Sequence, residues 1–148
     1  MWGGLVNCGC WFNGETQSCD NKLDSDCPAF VDPGLNFGNG YYNDHHFHYG
    51  YHIYAAAVAA KLDNDWGRAN FQHVLLYVRD IANPSPQDKY FPVFRQKDWY
   101  LGSSWASGIA MLYLNGRNQE SSSEAIAAYE GVGLFGSVMV SCHPFPFH

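Results

Sequence analysis

Tyr41-Tyr42-Asn43-Asp44-His45-His46-Phe47-His48-Tyr49-Gly50-Tyr51 sets one carboxylate among three histidines and four tyrosines, directly ahead of the alanine-rich run Ala55-Ala56-Ala57-Val58-Ala59-Ala60. Tyr51, Tyr54, Ala55 and Val58 recur at three- and four-residue intervals, and Leu62 continues the stripe, so a helix is expected from about Asp44 to Leu62. Burying so many polar tips would require a partner for each. A groove for a sugar suits them better: rings lie on pyranose faces and polar tips reach hydroxyls.

The chain reads as helical on both sides of this run. Leu62-Asp63-Asn64-Asp65 supplies a turn and a cap, and a second helix is expected from Trp66 to Ile81, with Phe71, Val74, Leu75, Val78 and Ile81 on one face. Asn83-Pro84-Ser85-Pro86 stops it, because neither proline continues a helix. Tyr90 to Phe94 reads as extended, Trp105 to Ile109 as a helical turn, Asn115 to Asn118 as a loop, and about Ser122 to Phe135 as a further helix. No strand with clean alternation stands out. Helical pairs joined by long aromatic loops fit an all-α toroid of hairpins. Three or four helices cannot close one, so the chain reads as part of a larger domain whose apolar faces lack partners.

At 148 residues the chain is long enough for a core, with 47% apolar and 17% aromatic residues. A formal net charge of -6 argues against a nucleic-acid partner and leaves no basic patch for anionic lipid. No apolar stretch approaches the ~20 residues that cross a bilayer, so no membrane insertion is expected. Met1-Trp2-Gly3-Gly4 has neither the basic start nor the apolar core of a signal peptide. Cys8, Cys10, Cys19 and Cys27 share an irregular Gly-, Asn- and Asp-rich segment, and Cys142 stands apart. Their spacing lacks the C-x2-C knuckles of common zinc sites. Two disulfides, in any of three pairings, are favoured over free thiols or zinc, which points to an extracellular or cell-surface setting.

Two acidic clusters carry the chemistry. Asp44 is either a helix N-cap or, if the helix has begun there, shares a face with His48 and Tyr51. An acid lined by rings and partly dry has a raised pKa, as a proton donor requires. Downstream, Asn118-Gln119-Glu120-Ser121-Ser122-Ser123-Glu124 sets Glu120 and Glu124 four apart. Ser121 and Glu124 also match a capping box. A carboxylate at a helix N-terminus is held ionised, as a general base must be, and only one of two close carboxylates serves as the base. Two separate carboxylate sites with an aromatic groove are the minimum equipment of a glycoside hydrolase. His48 and His52, also four apart, lack the Glu of a H-E-x-x-H metal site, so no metal or other cofactor is expected.

The ordered motifs Asn36-Phe37-Gly38-Asn39-Gly40, Tyr42 to Tyr51, Leu62 to Trp66, Val78-Arg79-Asp80, Asn83-Pro84-Ser85, Tyr90-Phe91-Pro92, Asp98-Trp99-Tyr100, Ser104-Trp105-Ala106 and Gly116 to Ala125, with Trp2-Gly3-Gly4 before them, resemble glycoside hydrolase family 81, the endo-β-1,3-glucanases. The resemblance implies part of an (α/α)6 toroid over residues 36–136, an inserted Cys-containing segment over 1–35 and an atypical tail over 137–148, where the helical pattern is abandoned. It implies inverting hydrolysis of β-1,3-glucan with Asp44 as general acid. Glu120 would then be the base and Glu124 would orient the water or sugar, with the reverse assignment open. Tyr42, His48, Asp98 and Trp105 would line the glucan groove. The rival readings are a non-catalytic glucan-binding module, which needs the rings but not the acids, and an inactive fragment of such an enzyme. Ser103 stands where the family has His in Gly-His-Ser-Trp-Ala, which predicts weaker turnover, recovered by Ser103→His.

Overall fold

The computed structural model describes residues 6, 8–20, 26–32, 34–100, 102–108 and 121–142. They fall into two compact units, one holding the described residues of 45–105 and 121–142, the other those of 6–44 and 106–108.

The first unit is helical. Helices α1 (His45–Leu62), α2 (Asn64–Ala82) and α3 (Ser122–Cys142) are joined in part by a loop that carries the short antiparallel pair β3 (Lys97–Asp98) and β4 (Ser103–Ser104). The Asp63 carboxylate accepts from the backbone N–H groups of Asp65 and Trp66 at 3.0 Å each, capping α2 where the turn was expected. Asn83 closes α2, and its side-chain amide donates to the Ser85 and Phe91 carbonyls at 3.2 and 2.7 Å, folding the proline turn back.

Helix α1 is the centre, packed against both α3 and α2. Its small residues allow this. A Cβ added at Gly50 would lie 2.5 Å from the Cα of Ala128, and one at Gly67 would lie 2.8 Å from the Cβ of Ala60. The core joins Tyr49, Ile53, Ala56, Ala57 and Ala60 of α1 to Val74 and Ile81 of α2 and Ala128, Phe135 and Met139 of α3. The buried face of α1 is therefore not the stripe expected from sequence: Tyr51, Tyr54, Val58 and Leu62 are exposed. The helix is apolar nearly all round, so periodicity by itself does not say which side a neighbour covers.

A buried charge cluster ties the loop to the helices. Asp80 of α2 accepts from His45 Nδ1 at 2.6 Å and from Arg95 Nη2 at 2.7 Å, with the His45 and Asp80 side chains wholly buried. Asp88 receives Arg79 through Nε and Nη2 at 2.8 and 3.0 Å and the N–H groups of Tyr90 and Phe91 at 2.9 and 3.1 Å. These bonds hold Asp88 well below the usual carboxylate range, the Arg79 guanidinium most of all. They also curl Tyr90–Phe94 into bends and turns rather than the expected extended segment. Trp105 to Gly108 is irregular rather than a helical turn. Helix α3 runs seven residues past the expected end at Phe135, through Ser137-Val138-Met139-Val140-Ser141-Cys142; Val138 and Met139 join the core, so packing sustains a helix that composition argued against. The expected loop at 115–118 lies outside the described residues.

The second unit is the irregular Cys-containing segment together with Leu35–Asp44 and 106–108. Disulfides join Cys8 to Cys27 and Cys10 to Cys19, one of the three possible pairings. The inner bridge closes a hairpin of β1 (Phe12–Asn13) and β2 (Ser18–Cys19), whose turn is held by Asn13 Oδ1 accepting from Glu15 and Thr16. Short 3-10 turns follow at Pro28–Phe30 and Leu35–Tyr41.

Candidate active site

Asp44 sits at the end of the second unit in an unusual backbone. Asn36, Phe37, Tyr42 and Asp44 all have positive φ, at 51°, 56°, 65° and 54°. Left-handed conformations of non-glycine residues each cost of order 1–3 kcal/mol and gather at functional sites. The surroundings hold them in place. The Asp44 N–H donates to the Ala106 carbonyl at 2.8 Å, and the Asn43 amide donates to the Phe37 carbonyl at 2.7 Å and to Asp44 Oδ2 at 2.9 Å. Gly108 lies so close to the Tyr41–Asn43 backbone that an added Cβ would fall 2.3 Å from the Tyr42 carbonyl carbon. Only glycine fits there. The Asp44 side chain is thus buried, set in a fixed direction and hydrogen-bonded by an amide that carries no charge.

The left-handed turn also corrects an expectation. Helix α1 begins at His45, one residue after Asp44, so Asp44 does not share a helical face with His48 and Tyr51. Tyr42, expected in the groove, closes the Leu35–Tyr41 turn with its N–H bonded to the Asn39 carbonyl at 2.9 Å.

In the first unit, Glu124 lies in the opening turn of α3. Its N–H donates to Ser121 Oγ at 3.2 Å, the capping contact expected from the Ser121/Glu124 pattern. Its Oε1 accepts from the Tyr51 hydroxyl at 3.3 Å, so the exposed tyrosine of α1 tethers the carboxylate. Loss of water around the phenol and the Glu124 charge raise the Tyr51 pKa, which keeps the phenol a donor. His48, one turn before Tyr51 on the same face, is half-buried. Burial depresses its pKa and the neighbouring His45 and His52 add to this, while Glu124 opposes. A neutral imidazole, able to donate and to accept, suits sugar hydroxyls. The structure therefore brings His48, Tyr51 and Glu124 together. Glu120 lies outside the described residues.

Asp98 and Trp105 belong to the loop of the same unit. Asp98 pairs with Ser103 across β3 and β4, and its Oδ1 accepts from the Tyr100 N–H at 3.1 Å. It lines a groove of about 580 Å³ with Lys97, Trp99, Ser104, Tyr129 and Glu130. Trp105 is half-buried, its N–H donating to the Gln96 carbonyl at 2.8 Å. Lys97 and Tyr129 were not singled out from sequence, and Trp99 was quoted only within the Asp98-Trp99-Tyr100 motif, with no role. For Tyr129 the signal was present in the spacing of Ser122, Ala125, Ile126, Tyr129 and Glu130, which sets them along one stripe of α3.

His52 Nδ1 lies 2.8 Å from the His48 carbonyl in α1 and its ring stacks on Tyr77 of α2 at 5.6 Å, so His52 is engaged within the helical packing. Among the described residues no group of three His, Cys, Asp or Glu is arranged to hold a metal ion.

Comparison with known proteins shows the family. The family model for the glycosyl hydrolase family 81 C-terminal domain matches residues 25–143. A glucan endo-1,3-beta-D-glucosidase of Arthroderma benhamiae is 43% identical over 136 residues, 92% of this chain and 13% of that protein. The primary septum glucan endo-1,3-beta-D-glucosidase of Schizosaccharomyces pombe is 47% identical over 106 residues, 70% of this chain and 10% of its own length. A solved family 81 glycoside hydrolase from Clostridium thermocellum, in a mutant form, superposes with a TM-score of 0.65 at 44% identity, covering 72% of this chain and 15% of that one. The chain thus spans between a tenth and a sixth of the relatives it matches. With most of its residues inside the family model and its helices matching a solved member, the chain belongs to glycosyl hydrolase family 81.

Proposed function

We propose that this chain is the acid- and base-bearing segment of an endo-1,3-β-glucanase that cleaves β-1,3-glucan with inversion. Asp44 protonates the glycosidic oxygen as the bond to the anomeric carbon breaks. Glu120 takes a proton from the water that attacks that carbon from the opposite face, and Glu124 orients the water or the sugar. Such a reaction needs its two carboxyls about 6.5–9.5 Å apart to leave room for the water. The observation that carries the reading is the buried, left-handed Asp44, held by Asn43 and the Ala106 carbonyl in a costly backbone that a mere helix cap does not require. The tethering of Glu124 by Tyr51 supports a carboxylate held in one orientation.

The two disulfides support an oxidising location, outside the cell or at its surface. The test is reducing-sugar release from soluble β-1,3-glucan by the chain beside its Glu120→Gln and Asp44→Asn variants, with the anomer first formed read by proton NMR. Release of the α-anomer, abolished by either substitution, is expected. Release of the β-anomer refutes inversion, and undiminished release by Asp44→Asn removes the acid. Because the chain spans so little of its relatives, glucan binding without release would favour the reading as a non-catalytic glucan-binding segment.

A further inference from the structure

We infer that the groove between the Lys97–Ser104 hairpin and α3 is a subsite for one glucosyl unit of a neutral glucan, with Trp99 and Tyr129 as its stacking walls and Lys97 as its hydroxyl donor. The inference rests on the glucan reading above and adds residues to it. Trp99 is 69% exposed, yet its ring is set in place by an edge-to-face contact with Phe94 at 5.5 Å. An exposed indole held rigid loses little freedom when a ligand lies on it. The Lys97 ammonium sits 4.8 Å from the Trp99 ring centroid and 4.5 Å from that of Tyr129, so both rings face one point in the groove. A sugar ring entering there exchanges these cation–π contacts for stacking, which leaves the ammonium within reach of its hydroxyls.

Charge selects the ligand class. Lys97, Asp98 and Glu130 line the groove, one cation against two carboxylates. The Tyr129 phenol, pushed up to about 12 by burial, stays uncharged. That balance disfavours a polyanion. Donor and acceptor tips around two rings fit a neutral polyhydroxyl ring, and the groove's volume of about 580 Å³ is ample for one.

The test uses calorimetric titration of the whole chain with a β-1,3-linked glucopentaose, with a β-1,4-linked glucopentaose as the comparison. Trp99→Ala is expected to weaken binding of the β-1,3 pentaose at least tenfold and Lys97→Met several-fold. Trp66→Ala, which changes a ring of α2 away from this groove, is expected to bind as the unaltered chain does. Circular dichroism checks that each variant folds, and Trp99 is exposed enough for its removal to leave the core alone. Binding by Trp99→Ala within twofold of the unaltered chain overturns the subsite and leaves the glucan reading standing. Binding of the β-1,4 pentaose alone, lost in Trp99→Ala, overturns the β-1,3 reading and keeps the groove as a sugar site. Binding of neither overturns the subsite.

Discussion

Replacing Asp80 with Ala removes a buried carboxylate that faces both His45 and Arg95. His45 Nδ1 lies 2.6 Å and Arg95 Nη2 2.7 Å from the same Oδ2, with the His45 and Asp80 side chains at 0% exposure and that of Arg95 at 18%. Arg95 Nη2 also lies 2.9 Å from His45 Nδ1. With the carboxylate present, the His45 proton points at Asp80, and that third approach is a packing contact. Without it, a guanidinium is left mostly out of water against an imidazole. Removing one partner of a buried ion pair costs about 3–5 kcal/mol, because the remaining charge loses its compensation. For a chain of this length each kcal/mol moves the melting temperature by about 2–4 °C, so Asp80→Ala should melt roughly 6–20 °C lower. Asp65→Ala is the control. Its pair with Arg68 is on the surface, with the Asp65 side chain 90% exposed, and exposed pairs contribute little. Melting followed by circular dichroism and urea titration gives both values. The double variant Asp80→Leu/Arg95→Met, which removes both charges, should recover much of the loss. A loss below about 1 kcal/mol for Asp80→Ala, or a double variant no better than the single one, would refute the reasoning.

Three further outcomes follow from packing, burial and the bridges. Gly50→Ala should lower stability by about 1–3 kcal/mol, because its Cβ would meet the Ala128 backbone at 2.5 Å, whereas Gly133→Ala, with nothing within 4 Å, should raise it by roughly 0.5–1 kcal/mol; urea midpoints compare them. His46 is held neutral down to about 3, by burial first and then by Arg95, His45 and His48. Its unfolded form takes up a proton near 6.5, so the unfolded chain binds more protons between those values. Stability is therefore complete above about pH 6.5 and falls toward pH 3 with a slope approaching 1.4 kcal/mol per pH unit, approximately; urea titrations at pH 7.5 and 5 should differ, and His46→Phe should flatten the difference. Finally, reduction should lower the melting temperature, since each bridge restrains the unfolded chain by about 3 kcal/mol for loops of this size. Peptide mapping should return Cys8 with Cys27 and Cys10 with Cys19, and any other pairing would contradict the second unit.

The extents of the helices were largely legible in the chain. Asp63 and Ser121 announced the starts of α2 and α3, and Asn83-Pro84 the end of α2, because caps and prolines act within a few residues of their own position. The sequence by itself also nominated the candidate site, since Asp44, His48 and Glu124 could be picked out as residue types that a core does not ask for. What lay beyond reach were the facts set by partners distant in sequence. The covered face of α1 depends on which of its two apolar sides meets Ala128 and Val74, and local periodicity is the same for both. The persistence of α3 through Cys142 depends on Val138 and Met139 packing in the core. Pairing among Cys8, Cys10, Cys19 and Cys27 needed the hairpin that brings Phe12 opposite Cys19. Above all, only the tertiary structure decided how Asp44 is held. Its left-handed backbone is one that Asp tolerates better than most residues but that the local sequence does not select by itself, and it is held by the Ala106 carbonyl and the close approach of Gly108, more than sixty residues along the chain.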